Sequence, residues 1–79
     1  MKTCVAMMGI IVENYTSVDA LNDILHENRN YIIGRLGVPL KEKKISVMSI
    51  IVDSDSDHVE KMVTEISKLD GVRVNVINS

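Results

Sequence analysis

Five alternating residues, Asp53-Ser54-Asp55-Ser56-Asp57, are the first place where residue type and spacing could do chemistry. Carboxylates at every second position open the loop that binds calcium in helix–loop–helix proteins. Here the pattern breaks. The sharp turn needs Gly where this chain has His58, and the bidentate acid that closes such a loop is replaced by Thr64. The run reads instead as a strand end, followed by acids that cap a helix and favour its positive end. Cys4 is the single sulfhydryl, so no internal disulfide is possible, which points to a reducing, cytoplasmic setting. On a mostly apolar strand it reads as a small buried hydrophobe. His26 and His58 have no partner at ligand spacing and read as solvated surface residues, so no metal site is assigned. No Ser-His-Asp, Cys-His or paired-carboxylate set is present in the pattern, and therefore no catalytic residue, no cofactor and no enzyme activity are assigned.

Two polar groups remain. Arg35 with Lys41, Lys43 and Lys44 could grip a phosphate or an acidic partner. The cluster lacks interleaved aromatics and a Gly-rich phosphate cradle, so it reads as a charged turn that protects a sheet edge. Asn14, Tyr15, Thr16 and Ser17 form a polar stretch immediately before a helix. Backbone N–H groups at such a point favour anionic ligands, which makes these four the candidate contacts for an effector. The same residue types are also ordinary helix caps.

The elements that must carry these residues follow from the apolar pattern. Of the 79 residues, 46% are apolar and 25% charged, the balance of one soluble domain. Eleven acids against nine bases give a net charge of −2, which argues against nucleic-acid binding through bulk charge. No apolar run reaches the roughly 20 residues needed to span a bilayer, and residues 1–11 show no cleavage-like site. Eleven Val and ten Ile favour strands, while Trp and Phe are absent. A domain of this size buries only about 60–65% of its unfolded surface, so self-association is expected to contribute to its stability.

Residues 3–13 and 45–53 are apolar at nearly every position and predict two central strands buried on both faces. Gly9 leaves a gap in the first of them, where another group can approach closely. Val18, Leu21, Ile24 and Leu25 share one helical face, with Thr16 or Ser17 as cap. Residues 31–36 predict a second strand, broken at Gly37-Val38-Pro39. Val59, Met62, Val63, Ile66 and Leu69 form the stripe of a second helix, which Gly71 ends. Val72, Val74 and Val76 alternate with Arg73, Asn75 and Ile77, the pattern of a half-buried edge strand.

The order is β-α-β-β-α-β, a ferredoxin-like α+β sandwich over residues 1–79. Right-handed crossovers put the first and third strands in the middle of a four-stranded antiparallel sheet, with both helices on one face. The face opposite the helices is then apolar and predicts a homo-oligomer, dimer or tetramer. The expected interface residues are Met8, Ile10 and Val12 with Met48, Ile50 and Val52.

The segments IIVEN, LNDILHE, YIIGRLGVP and ISVMSIIVD together resemble the small regulators of the iron-only hydrogenase system. These belong with the ACT-like and nickel-regulator C-terminal-like ferredoxin folds. The resemblance spans about residues 5–78, and Gly34, Arg35, Gly37 and Pro39 carry its most specific part. It implies a regulatory or sensor domain that oligomerises through its sheet and holds an effector near the first strand–helix loop, at a subunit contact. The other reading of the same resemblance is an adaptor that assembles and docks on a protein partner without a ligand. Amino-acid-binding ACT domains usually place Gly or Pro in that loop, and residues 13–17 have neither. The His and Cys set of the nickel regulators is also missing, as is a ribbon-helix-helix segment. Direct nucleic-acid binding and membrane contact are therefore not expected, and any transcription regulation runs through a protein partner.

Overall fold

Strand β1, Cys4–Val12, takes the centre of the sheet, paired with a neighbour on each edge, but it is buried on one face only instead of the two expected: Ala6, Met8, Ile10 and Val12 are covered, and Val5 and Met7 are exposed. The computed structural model describes residues 3–79; Met1 and Lys2, which begin the N-terminal apolar stretch, lie outside the described residues. The remaining elements are α1 (Val18–Glu27), β2 (Ile32–Leu40), β3 (Ile45–Ser54), α2 (Ser56–Ser67) and β4 (Val72–Asn78). Short 3-10 turns at Tyr15–Ser17 and Arg29–Tyr31 flank α1. All strand pairs are antiparallel, in the order β2-β3-β1-β4. The expected β-α-β-β-α-β sandwich, with β1 and β3 in the middle, is thus the fold of the chain.

The register decides which face is which. Ala6, Met8, Ile10 and Val12 stand opposite Val52, Ile50, Met48 and Ser46 on β3, and opposite Asn78, Val76, Val74 and Val72 on β4. Both helices cover this face. Met8, Ile10, Val12, Ile50 and Val52 are fully buried against Leu21, Leu25, Val59, Met62 and Ile66, and Met48 packs half-buried at the edge of the same core. The six residues expected at an oligomer interface are therefore the floor of the helix-covered core, and the open face belongs to the alternate set. The physical reason is that strand side chains have period 2, so the assignment is all or nothing. The even-numbered face of β1 offers five side chains, from Cys4 to Val12, without a gap. The odd-numbered face has Gly9 at its centre, with Ser49 and Asn75 opposite it. Close packing favours the gapless face under the helices.

β2 runs through Gly37-Val38-Pro39 to Leu40 instead of breaking there. It is an edge strand, and an edge tolerates Pro because one row of its N–H groups has no ladder partner to lose. A register irregularity between Ile32 and Gly34 bulges the same strand. At the start of α2, Asp55 accepts a hydrogen bond from the His58 backbone N–H at 2.8 Å, so the acidic run does cap a helix. Gly71 has φ +68°, the left-handed conformation that ends the turn after α2.

Candidate functional site

Asn14 caps the 3-10 turn that leads into α1. Its Oδ1 accepts hydrogen bonds from the Thr16 N–H at 3.0 Å and from the Thr16 hydroxyl at 2.7 Å. Its Nδ2 donates to Asp70 at 2.7 Å, and the Ser17 hydroxyl donates to the Asp70 carbonyl at 2.5 Å. The Glu13 N–H donates to the Gly71 carbonyl at 2.7 Å. The four candidate effector contacts therefore form one loop, fastened to the turn between α2 and β4. Asn14, Thr16 and Ser17 spend their polar atoms inside the chain, and Tyr15 is half-exposed. Ser17 is buried and stands at the N-cap position of α1, as expected, but its hydroxyl is bound to Asp70 and makes no capping bond to the helix. The side-chain capping bond is made one turn earlier, by Asn14 on the 3-10 turn that precedes the helix proper. Ser17→Ala is expected to lower stability by about 0.5–2 kcal/mol through loss of the bond to Asp70, read as a lower melting temperature.

His58 is half-buried and engaged within the chain instead of freely solvated. Its Nε2 lies 2.8 Å from Asn28 Oδ1, and its ring centre lies 4.4 Å from that of Tyr31. Asn28 uses its Nδ2 to donate to the Ile24 carbonyl at 2.7 Å, so its Oδ1 is the acceptor and His58 Nε2 carries the proton. The group ties the end of α1 to the start of α2. His26 is exposed, and Cys4 is half-buried against the core. Among the described residues no three His, Cys, Asp or Glu side chains gather as a metal site, and no buried side-chain nitrogen or oxygen lacks a partner. No helix of the described residues is long and apolar enough to cross a membrane.

The open face of the sheet presents an apolar surface. Met7, Ile11, Leu36, Val47, Ile51 and Ile77 share it by register. Met7 is 44% exposed, Leu36 63% and Ile77 68%, a large apolar exposure for a chain of this size. Gly9 makes a dimple in the middle: a Cβ placed there would meet nothing within 4 Å. At one end the patch is bounded by the ion pair of Arg73 Nε with Glu13 Oε1, at 2.8 Å. The signal that assigns this face lies in β4. Its Val72, Val74 and Val76 mark the covered side, and pairing carries that parity to β1.

Four antiparallel strands in this order under two helices define a ferredoxin-like α+β domain, the class that includes ACT-like and PII-like regulatory folds. The chain belongs to the TM1266-like family, described as iron-only hydrogenase system regulators, whose model matches residues 4–76. Its fold is similar to that of TM1266 from Thermotoga maritima, with a TM-score of 0.93 at 20% identity and 98% of each chain covered. It is also similar to CPII, a nitrogen regulatory PII-like protein from Thiomonas intermedia K12, solved bound to ADP, AMP and bicarbonate. That match has a TM-score of 0.53 at 19% identity and covers 99% of this chain and 93% of that one. A de novo designed protein, Foldit4, matches with a TM-score of 0.58 at 17% identity over 99% and 97% of the two chains. No curated protein matches the sequence. At these identities the likeness to solved structures is one of fold.

Proposed function

We propose that this protein is a non-catalytic regulatory module of the iron-only hydrogenase system that works as a homo-oligomer, with the open sheet faces of two copies packed on each other. The family supports the regulatory role. The observation that carries the assembly is the apolar open face with its central dimple at Gly9. Burying apolar surface contributes about 25 cal/mol per Å2, and a domain of this size has little core of its own to rely on. A side chain from the facing copy fills the dimple, which gives the contact its register. The regulatory signal passes to a protein partner, because the chain is acidic overall and the described residues present no helix built for a groove.

The effector reading of Asn14, Tyr15, Thr16 and Ser17 has weak support from the geometry. A loop whose polar atoms are already paired offers a ligand chiefly the Tyr15 side chain. Its internal bonds favour a fastening role, and so favour a module that assembles and docks.

Light scattering at micromolar concentration is expected to show a dimer or tetramer; a stable 8.8 kDa monomer would sink this reading. Gly9→Val separates assembly from folding. The added side chain meets no atom of its own subunit, and Val suits a strand better than Gly. The variant is expected to keep its fold and to associate about tenfold more weakly, since the dimple is filled from within. Unchanged association would show that this face is not the contact.

A further inference from the structure

We propose that the cleft between α1 and β2 binds the phosphate of a small phosphate monoester that also carries a hydroxyl group. The cleft has a volume of about 440 Å3, within the range of small-molecule sites. Leu25 and Ile32 give it an apolar floor, and Arg29 and Arg35 stand on its walls. Neither arginine is in an ion pair; the ion pair among the described residues joins Arg73 to Glu13. Each guanidinium is instead oriented by one neutral acceptor. Arg35 Nη2 donates to Asn22 Oδ1 at 3.2 Å, and Arg29 Nη1 donates to the His26 carbonyl at 2.9 Å. Most of the five N–H donors on each guanidinium are left for a ligand. Two such forks beside one cavity suit an oxyanion, which Arg binds in a planar, bidentate manner.

The bond from Arg29 has a second effect. The C-terminal end of α1 carries partial negative charge that would repel an anion, and the guanidinium on the His26 carbonyl screens it. Asp23 lines the same cleft and sets the selectivity. Its carboxylate accepts a hydrogen bond from a hydroxyl of the ligand, and its repulsion grows with the charge of the anion, so it disfavours a polyphosphate more than a single phosphate. The site lies on the α1–β2 flank. It shares no residue with the loop after β1, and none of the six open-face residues named above lines it, so it supplies an effector class without depending on assembly.

The test is a titration of the full chain, followed by backbone amide NMR at constant ionic strength, with glycerol 3-phosphate, inorganic phosphate, acetate and ATP. Saturable shifts are expected at Asn22, Arg29 and Arg35, with glycerol 3-phosphate binding more tightly than inorganic phosphate and ATP more weakly. Arg35→Gln and Arg29→Gln are each expected to weaken binding by about tenfold or more, with melting temperatures near that of the parent. Absence of saturation, equal binding of acetate, shifts confined to Lys41, Lys43 and Lys44, or unchanged binding by both variants would each overturn the proposal. A monomer in the light-scattering experiment would leave it standing.

Discussion

Aspartate at position 8 is expected to leave the chain unfolded, whereas aspartate at position 7 leaves it folded and separates the oligomer into monomers. The two residues are chain neighbours on opposite faces of β1. Met8 is fully buried beneath the helices, opposite Ile50 and Val76. Met8→Asp deletes a packed side chain, at about 2–5 kcal/mol, and leaves a carboxylate without a partner, at several kcal/mol more. The sum approaches the whole stability of a small domain, about 5–15 kcal/mol. Met7 is 44% exposed and lies on the open face, opposite Ile51 and Ile77. Met7→Asp keeps its charge in water in the monomer and buries it in the contact between copies. Circular dichroism of both variants, with light scattering of Met7→Asp, checks the pair. A folded Met8→Asp would mean that the faces are assigned the wrong way round. The melting temperature of Met7→Asp is expected to fall below that of the parent, because assembly no longer favours the folded state.

The second large effect is expected at Gly71. Its φ of +68° costs a residue with a side chain about 1–2 kcal/mol. Space adds to this, since a Cβ at Gly71 would stand 2.5 Å from the Asn14 Cβ and 3.0 Å from the Asn14 backbone nitrogen. Backbone cannot swing away as a side chain can. Gly71→Ala must push Asn14 aside, and with it the bonds from Asn14 to Asp70 and from the Glu13 N–H to Gly71. The expected loss is about 2–4 kcal/mol, a fall of roughly 10–25 °C in melting temperature for a domain of this length. A fall below about 5 °C would show that the loop after β1 and the turn before β4 are not held together in this way.

Features governed by local pattern were legible in the residues. The two-sided apolar runs identified the central strands, the acids at 53–57 identified a capped helix start, and Gly71 marked a turn. The open face was not legible in the same way. Both faces of β1 are apolar, and what tells them apart, the gap at Gly9 with Ser49 and Asn75 opposite it and the valine parity of β4, depends on the pairing register. The extent of β2 was masked by Pro39, whose cost depends on whether its strand lies at an edge. The role of Ser17 was hidden for a different reason: its partner, Asp70, is 53 residues away. The polar types in the loop correctly signalled hydrogen bonding, but the type of a residue does not say whether its partner is its own chain or a ligand. His58 makes the same point, since Asn28 precedes it by 30 residues.

Pro39 and the bulge between Ile32 and Gly34 have a consequence beyond the shape of β2. A sheet grows into a filament only if both of its outer strands can accept a new neighbour in register. On the β2 side the row of backbone donors is interrupted twice within nine residues, so strand addition there loses bonds at both interruptions. That leaves β4 as the one outer strand able to zip onto another chain. Two copies joined through β4 would each present only a blunted β2 at the outside, and growth would stop at the pair. A protein with this much exposed apolar surface thus has a built-in terminator against running on into fibres.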